Sequence, residues 1–275
     1  VPGDFGLGAL LSAGPMLASH YVPVDQVSYL LRRMSMLMAL GYSVYPLGLV
    51  LLSKVTMMLA ENRLEEVRAR LAILMAAILE ISVFACVLMV VFADVLVRLW
   101  VGPRFLPAAG LVRIVLLSVP FHMFYSGLCS VVEAGSQTPH NTRNVFLALT
   151  VFIVLACALV WGVQPNILLK TIATSILTAI AVLAWFTSRS IHKIYNLRLN
   201  WGHSLAPVLV AVLLGGPSFL IHWSSSFRTS VIELVAIELA VGALFFGFLL
   251  KAGSSWAAFL FETAFGRSIK EMSRA

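Results

Sequence analysis

Apolar residues in this chain run in long blocks and do not alternate with polar ones. Eight such runs can be marked, at 5–21, 34–53, 71–93, 111–132, 145–163, 167–188, 205–223 and 231–250, bounded by charged or turn-forming residues. A helix needs about 20 apolar residues to cross a bilayer, whereas the strands of a membrane barrel read as alternating segments of about ten. The pattern therefore predicts an all-α protein, a polytopic transmembrane helical bundle of about eight spans. The first run is the shortest and is interrupted by Gly14-Pro15. Two stretches read as helices lying at the membrane surface. In 60–71, Leu64, Val67 and Leu71 share a face while Glu66 and Arg70 stand four apart, and the amphipathic tail 254–275 carries Trp256, Phe259, Phe261 and Phe265 before a basic end.

Composition supports the same class. Of 275 residues, 60% are hydrophobic and 11% charged, and the mean hydropathy is +0.97. Soluble domains average about 25% charged residues, and disordered chains are poorer still in apolar ones. The net charge of +7 is spread between the apolar runs, which points to topogenic charge and contact with membrane lipids, with no nucleic acid partner. Twelve of the 19 Lys and Arg fall in one set of connections, those after the second, fourth, sixth and eighth runs. The positive-inside rule puts that set, and with it both segment ends, in the cytoplasm. Trp100, Trp161 and Trp223 then mark outer ends of spans, where indole prefers the headgroup level. Cys86, Cys129 and Cys157 all lie in apolar runs without metal-type spacing and read as small apolar residues at helix interfaces.

Candidate chemistry is sparse. Glu80 is the tenth of 23 residues in the third run, and His122 lies midway along the fourth, beside Pro120. Ionisable groups at mid-membrane are costly, by about 2.5–3.5 kcal/mol for a charge on insertion scales, and mark ion pathways or interhelical bonds. Because their spans are consecutive, Glu80 and His122 are candidates to meet, either as an ion-coupling pair or as a satisfied interhelical hydrogen bond. Arg32 and Arg33 stand at the outer end of the second run. There they either snorkel to the interface or present two guanidinium groups to an anionic substrate. The chain holds no P-loop, HExxH or GxSxG motif, and its connections are too short to build an enzyme site, so no catalytic residue, metal or cofactor is expected. A transporter is the favoured class. An intramembrane glycan-modifying enzyme using Asp25, Asp94 and Arg98 is the rival from another class, and a helical scaffold is the third reading. The start at Val1, with no basic segment before a cleavable apolar core, reads as a fragment of a longer protein.

Three stretches carry a resemblance. YPLGLVLLSKVTMMLAENRLEEVRARL is a span ending in a charged cytoplasmic helix, LVRLWVGPRF lies at 96–105, and VVEAGSQTPHNTRN at 131–144. Together they resemble the C-terminal half of lipid-linked oligosaccharide flippases of the polysaccharide-synthesis group. That group belongs to the multidrug/oligosaccharidyl-lipid/polysaccharide exporter superfamily. The resemblance implies a six-helix transporter lobe at 1–190, two additional transmembrane helices at 191–253 and the tail at 254–275. It further implies alternating access between two lobes in a bacterial cell membrane. The cargo would be a polyprenyl-pyrophosphate-linked oligosaccharide, with Arg32 and Arg33 as substrate-binding residues and polysaccharide-assembly proteins as partners. A drug or metabolite cation antiporter of the same superfamily is the alternative within transport. SAGPMLASHY in the first run and GVQPNILLKTIATSIL before the sixth depart from the pattern, the first lacking charged residues and the second its glycines.

Overall fold

The computed structural model describes residues 2–21, 35, 46, 50–100, 102–160, 165–197, 206–207, 209–215, 231–254 and 257–258. Among these, all regular structure is helical. The helices are α1 (Pro2–Tyr21), α2 (Val50–Ala60), α3 (Leu64–Val91), α4 (Ala93–Trp100), a 3₁₀ turn (Pro103–Ala108), α5 (Ala109–Leu116), α6 (Val119–Ala134), α7 (His140–Val160), α8 (Pro165–Tyr195) and α9 (Val231–Lys251). Four stretches are long and apolar enough to cross a membrane: Leu64–Val91, Ala109–Ala134, His140–Leu159 and Ile167–Tyr195. They coincide with the third to sixth apolar runs of the sequence. Most of the second and seventh runs, and the tail beyond 258, lie outside the described residues.

The chain forms two compact units, Val1–Arg68 with Ala93–Arg198, and Ala69–Phe92 with Leu199–Ala275. In the first, α8 is the hub and packs against α1, α5, α6 and α7. Its small and β-branched residues Ile172, Ala173, Ile176, Ala179 and Ile180 are all buried, so neighbouring helices approach on more than one side. α1 meets this hub through a stripe four residues apart, Gly6, Leu10, Gly14 and Ala18. A Cβ on Gly14 would come within 2.5 Å of Ile176 Cδ1, and one on Gly6 within 2.6 Å of Val145 Cγ1 on α7. Only hydrogen at these positions allows so close a crossing. The outward face of α7 is apolar instead of polar, with Phe146, Ile153 and Val154 about half exposed or more. A contiguous apolar exterior on a helix of this length is what a lipid-facing surface requires.

The fourth run is two helices, not one. Pro120, near the start of α6, has no N–H to give the preceding turn. The backbone at Leu117–Ser118 tightens accordingly: Ser118 donates its N–H to Val115 O at 3.0 Å and its hydroxyl to the same carbonyl at 2.5 Å. The LVRLWVGPRF stretch folds as α4, a turn at Gly102 and the 3₁₀ segment. Asp94 at the start of α4 lies 4.0 Å from the Arg113 guanidinium on α5.

The charged stretch 60–71 differs from the separate surface helix its pattern suggests. Asn62 takes a left-handed conformation, φ 59°, and ends α2. Arg63 N–H reaches back to Met58 O at 2.9 Å and Asn62 N–H to Leu59 O at 3.1 Å, the paired bonds of a Schellman cap. α3 then starts at Leu64 and continues without interruption to Val91. Glu65 and Glu66 occupy its first turn, where carboxylates oppose the helix dipole. The Arg63 guanidinium donates to Glu61 and Glu66, and these hydrogen bonds, Glu61 first, push its pKa above the ordinary arginine value.

In the second unit, α3 packs with the helical stretch 209–215 and with α9. Ala211, Phe245, Leu249 and Ala257 form a buried cluster flanked by Ala77, Phe84 and Val87. The Phe84 and Phe245 rings stack at 4.3 Å, and Gly215 sits against Val87 with no room for a side chain.

Candidate functional site

Of the four residues singled out for substrate binding and coupling, Arg32 and Arg33 lie outside the described residues, as does Asp25 of the rival enzyme reading. Glu80 and His122 are both described. Glu80 belongs to the second compact unit and His122 to the first, and each is taken within its own unit.

Glu80 is 5% exposed in the middle of α3. Its Oε2 accepts a hydrogen bond from the Ser254 hydroxyl at 3.1 Å. That donor stands just past the end of α9, and its position follows from the local backbone. Gly253 adopts φ 74°, a left-handed conformation that costs a glycine nothing. This turn lets Ser254 N–H bond Leu249 O at 3.0 Å and Gly253 N–H bond Leu250 O at 3.2 Å, closing α9 with a Schellman cap. The cap delivers the Ser254 side chain to α3. Gly253→Ala should therefore cost about 1 kcal/mol. Nothing would touch the added methyl, so the whole effect is conformational. Gly253→Asn, which tolerates the left-handed region, should lose less. Thermal unfolding of the two variants side by side checks this ranking; equal losses would mean that the backbone sign of φ is not what matters.

His122 is 3% exposed on α6, a helix buried along almost its whole length. Its Nδ1 has no hydrogen-bond partner among the described residues. Its place in the first turn of α6 follows from Pro120. The broken turn starts α6 at Val119, and His122 N–H takes up the Ser118 carbonyl at 2.9 Å.

A second polar region lies in the first unit, where α6, α7 and α8 converge. Glu133 accepts from Asn141 Nδ2 at 2.9 Å, and the buried Asn144 donates to Ser190 Oγ at 3.0 Å. Tyr195, fully buried, donates its hydroxyl to Val131 O at 2.8 Å. The Arg68 guanidinium caps α8 by donating to Tyr195 O at 2.7 Å. Beside these bonds a cavity of about 580 Å³ is lined by His140, Arg143 and Leu147 of α7 and by Phe186, Arg189, Ser190 and Lys193 of α8. In the sequence these cations count only as topogenic charge. Their spacings, 140, 143, 147 and 186, 189, 193, each describe one face of a helix, and that is the signal by which the cluster could have been found.

The cysteines partly follow expectation. Cys86 and Cys129 are buried, but Cys157 is exposed on α7; it belongs to the outward apolar face, not to a helix interface. Among the described residues no group of His, Cys, Asp and Glu could hold a metal ion. No protein-family model, curated protein or solved structure matches this chain.

Proposed function

We propose that this chain is part of a helical membrane transporter whose cargo is a lipid-linked oligosaccharide, carried on polyprenyl pyrophosphate from the cytoplasmic to the outer leaflet of the cell membrane. In this reading the chain supplies about eight spans with both ends cytoplasmic. Six of them form one lobe of a two-lobed protein working by alternating access. Arg32 and Arg33 hold the pyrophosphate, because paired guanidinium groups match phosphate oxygens bidentately. Glu80 and His122 couple movement to an ion.

The observation that carries the reading is Glu80, a carboxyl group buried at the middle of a 28-residue apolar helix. An ionisable group at that depth is retained at a cost, and groups of this kind mark ion and substrate pathways and proton relays. The stretches LVRLWVGPRF and VVEAGSQTPHNTRN supply the specific cargo through their resemblance to oligosaccharide flippases.

Glu80→Gln tests the coupling role cleanly, since glutamine keeps an acceptor oxygen for Ser254 while losing the titratable group. In the full chain, reconstituted with a polyprenyl-pyrophosphate glycan in the inner leaflet, flipping should fall several-fold with membrane insertion intact. A wild-type rate for this variant would overturn the coupling role. Failure of the unsubstituted protein to move the glycan lipid, in vesicles where it moves an amphipathic cation, would overturn the cargo.

A further inference from the structure

Membrane proteins place cations at span ends for topology alone, and such residues spread outward into water or headgroups. The cluster at the α7–α8 end is arranged otherwise. His140 and Arg143 from the first turn of α7, and Arg189 and Lys193 from the last turns of α8, line one cavity of about 580 Å³. Among the described residues none of the three cations is paired with a carboxylate. The nearby Glu133 is engaged by Asn141 and does not line the cavity.

Three like charges gathered around one concavity, with no counter-ion among the described residues, repel one another, and an anion seated among them relieves that repulsion. Two are arginines, whose forked donors suit phosphate oxygens. The N-terminus of α7 adds partial positive charge at the same place.

The apolar lining narrows the ligand further. Leu147 and Phe186 stand one turn inward from the cations on each helix; Phe146 beside Leu147, Ile153 and Val154 further along α7, and Trp185 on α8 are exposed. A charged mouth thus opens directly onto lipid-facing surface. A ligand matching both parts has a phosphate head joined to hydrocarbon tails. We propose that this cavity binds the phosphate of an anionic phospholipid, held by Arg143, Arg189 and Lys193, with its acyl chains running along the α7–α8 surface. The inference is independent of the transported cargo and rests only on α7 and α8 crossing the membrane.

The test uses the full chain in nanodiscs of phosphatidylcholine with and without phosphatidylglycerol, with bound lipid counted by native mass spectrometry after extraction. The double variant Arg143→Gln/Arg189→Gln removes two charge-assisted contacts and should lower phosphatidylglycerol retention about tenfold or more. Arg143→Lys/Arg189→Lys keeps the charges, controls for folding and should retain part of the binding. Lys54→Gln/Lys251→Gln removes the same charge from exposed positions outside the cavity and should change nothing. Equal loss in that control would overturn the site in favour of general electrostatic attraction. If inorganic phosphate displaced the lipid at comparable concentration, the ligand would be a free anion and the lipid proposal would fall.

Discussion

Gly135→Ala should destabilise the protein by about 2–4 kcal/mol, far beyond the usual effect of adding one methyl group. Gly135 has φ −91° and ψ −1°, a conformation alanine adopts freely, so the backbone does not oppose the change. Space does. The new Cβ would lie 2.5 Å from Ile194 Cγ2 and 2.6 Å from Cζ of Tyr195, where carbon atoms rest at about 3.5–4.0 Å. The Tyr195 ring cannot swing aside, because it is fully buried and its hydroxyl is tied to Val131 O. The end of α8 must therefore shift or release that bond, adding about 1 kcal/mol to an overpacking cost of about 1–3 kcal/mol. Arg68, which donates to Tyr195 O, would be disturbed by the same shift. Tyr195→Phe, which removes the hydroxyl and leaves the ring, should cost only about 1 kcal/mol. Thermal unfolding in detergent separates the two. If Gly135→Ala unfolded at the wild-type temperature, the close approach of α6 and α8 would be disproved. A double-mutant cycle with Tyr195→Leu should show coupling, because a smaller, flexible side chain makes room for the methyl.

The sequence makes the helices legible and most of their partners illegible. Four spans could be marked because bilayer-length apolar runs have one physical explanation. The boundary at 62–64 could not, since asparagine in a left-handed cap looks like any polar residue in a charged stretch, and the periodic pattern on either side suggested a separate surface helix. Glu80 stood out as an ionisable group amid apolar neighbours. Its hydrogen-bond donor, Ser254, lies 174 residues away and is placed by a glycine cap that no periodicity announces. Chain adjacency suggested His122 as a neighbour, and that residue belongs to the other compact unit. The cations of the α7–α8 cavity were each visible. Their convergence depends on two antiparallel helices meeting in a particular rotation, which side-chain counts do not encode.

His122→Leu tests whether a buried polar group is kept for use or for support. Leucine fills much of the same volume without a polar atom. The imidazole is 3% exposed, and its Nδ1 has no partner among the described residues. A buried polar atom without a hydrogen bond costs about 1–3 kcal/mol, so His122→Leu should stabilise the protein by an amount on the order of 1 kcal/mol after the poorer shape match is subtracted. Coupled transport by the full chain should fall in the same variant. That opposition is the informative result, because transport lost from a more stable protein is not lost through unfolding. A loss of stability would instead mean that the ring makes a bond the fold depends on, and the coupling role would then have to be separated from folding with His122→Asn. A gain in stability with unchanged transport would remove His122 from the mechanism and leave Glu80 to carry coupling alone. The two coupling residues are thus held to different tests: Glu80→Gln preserves its bond to Ser254 and removes only titration, whereas His122→Leu removes a polar group that no described bond sustains.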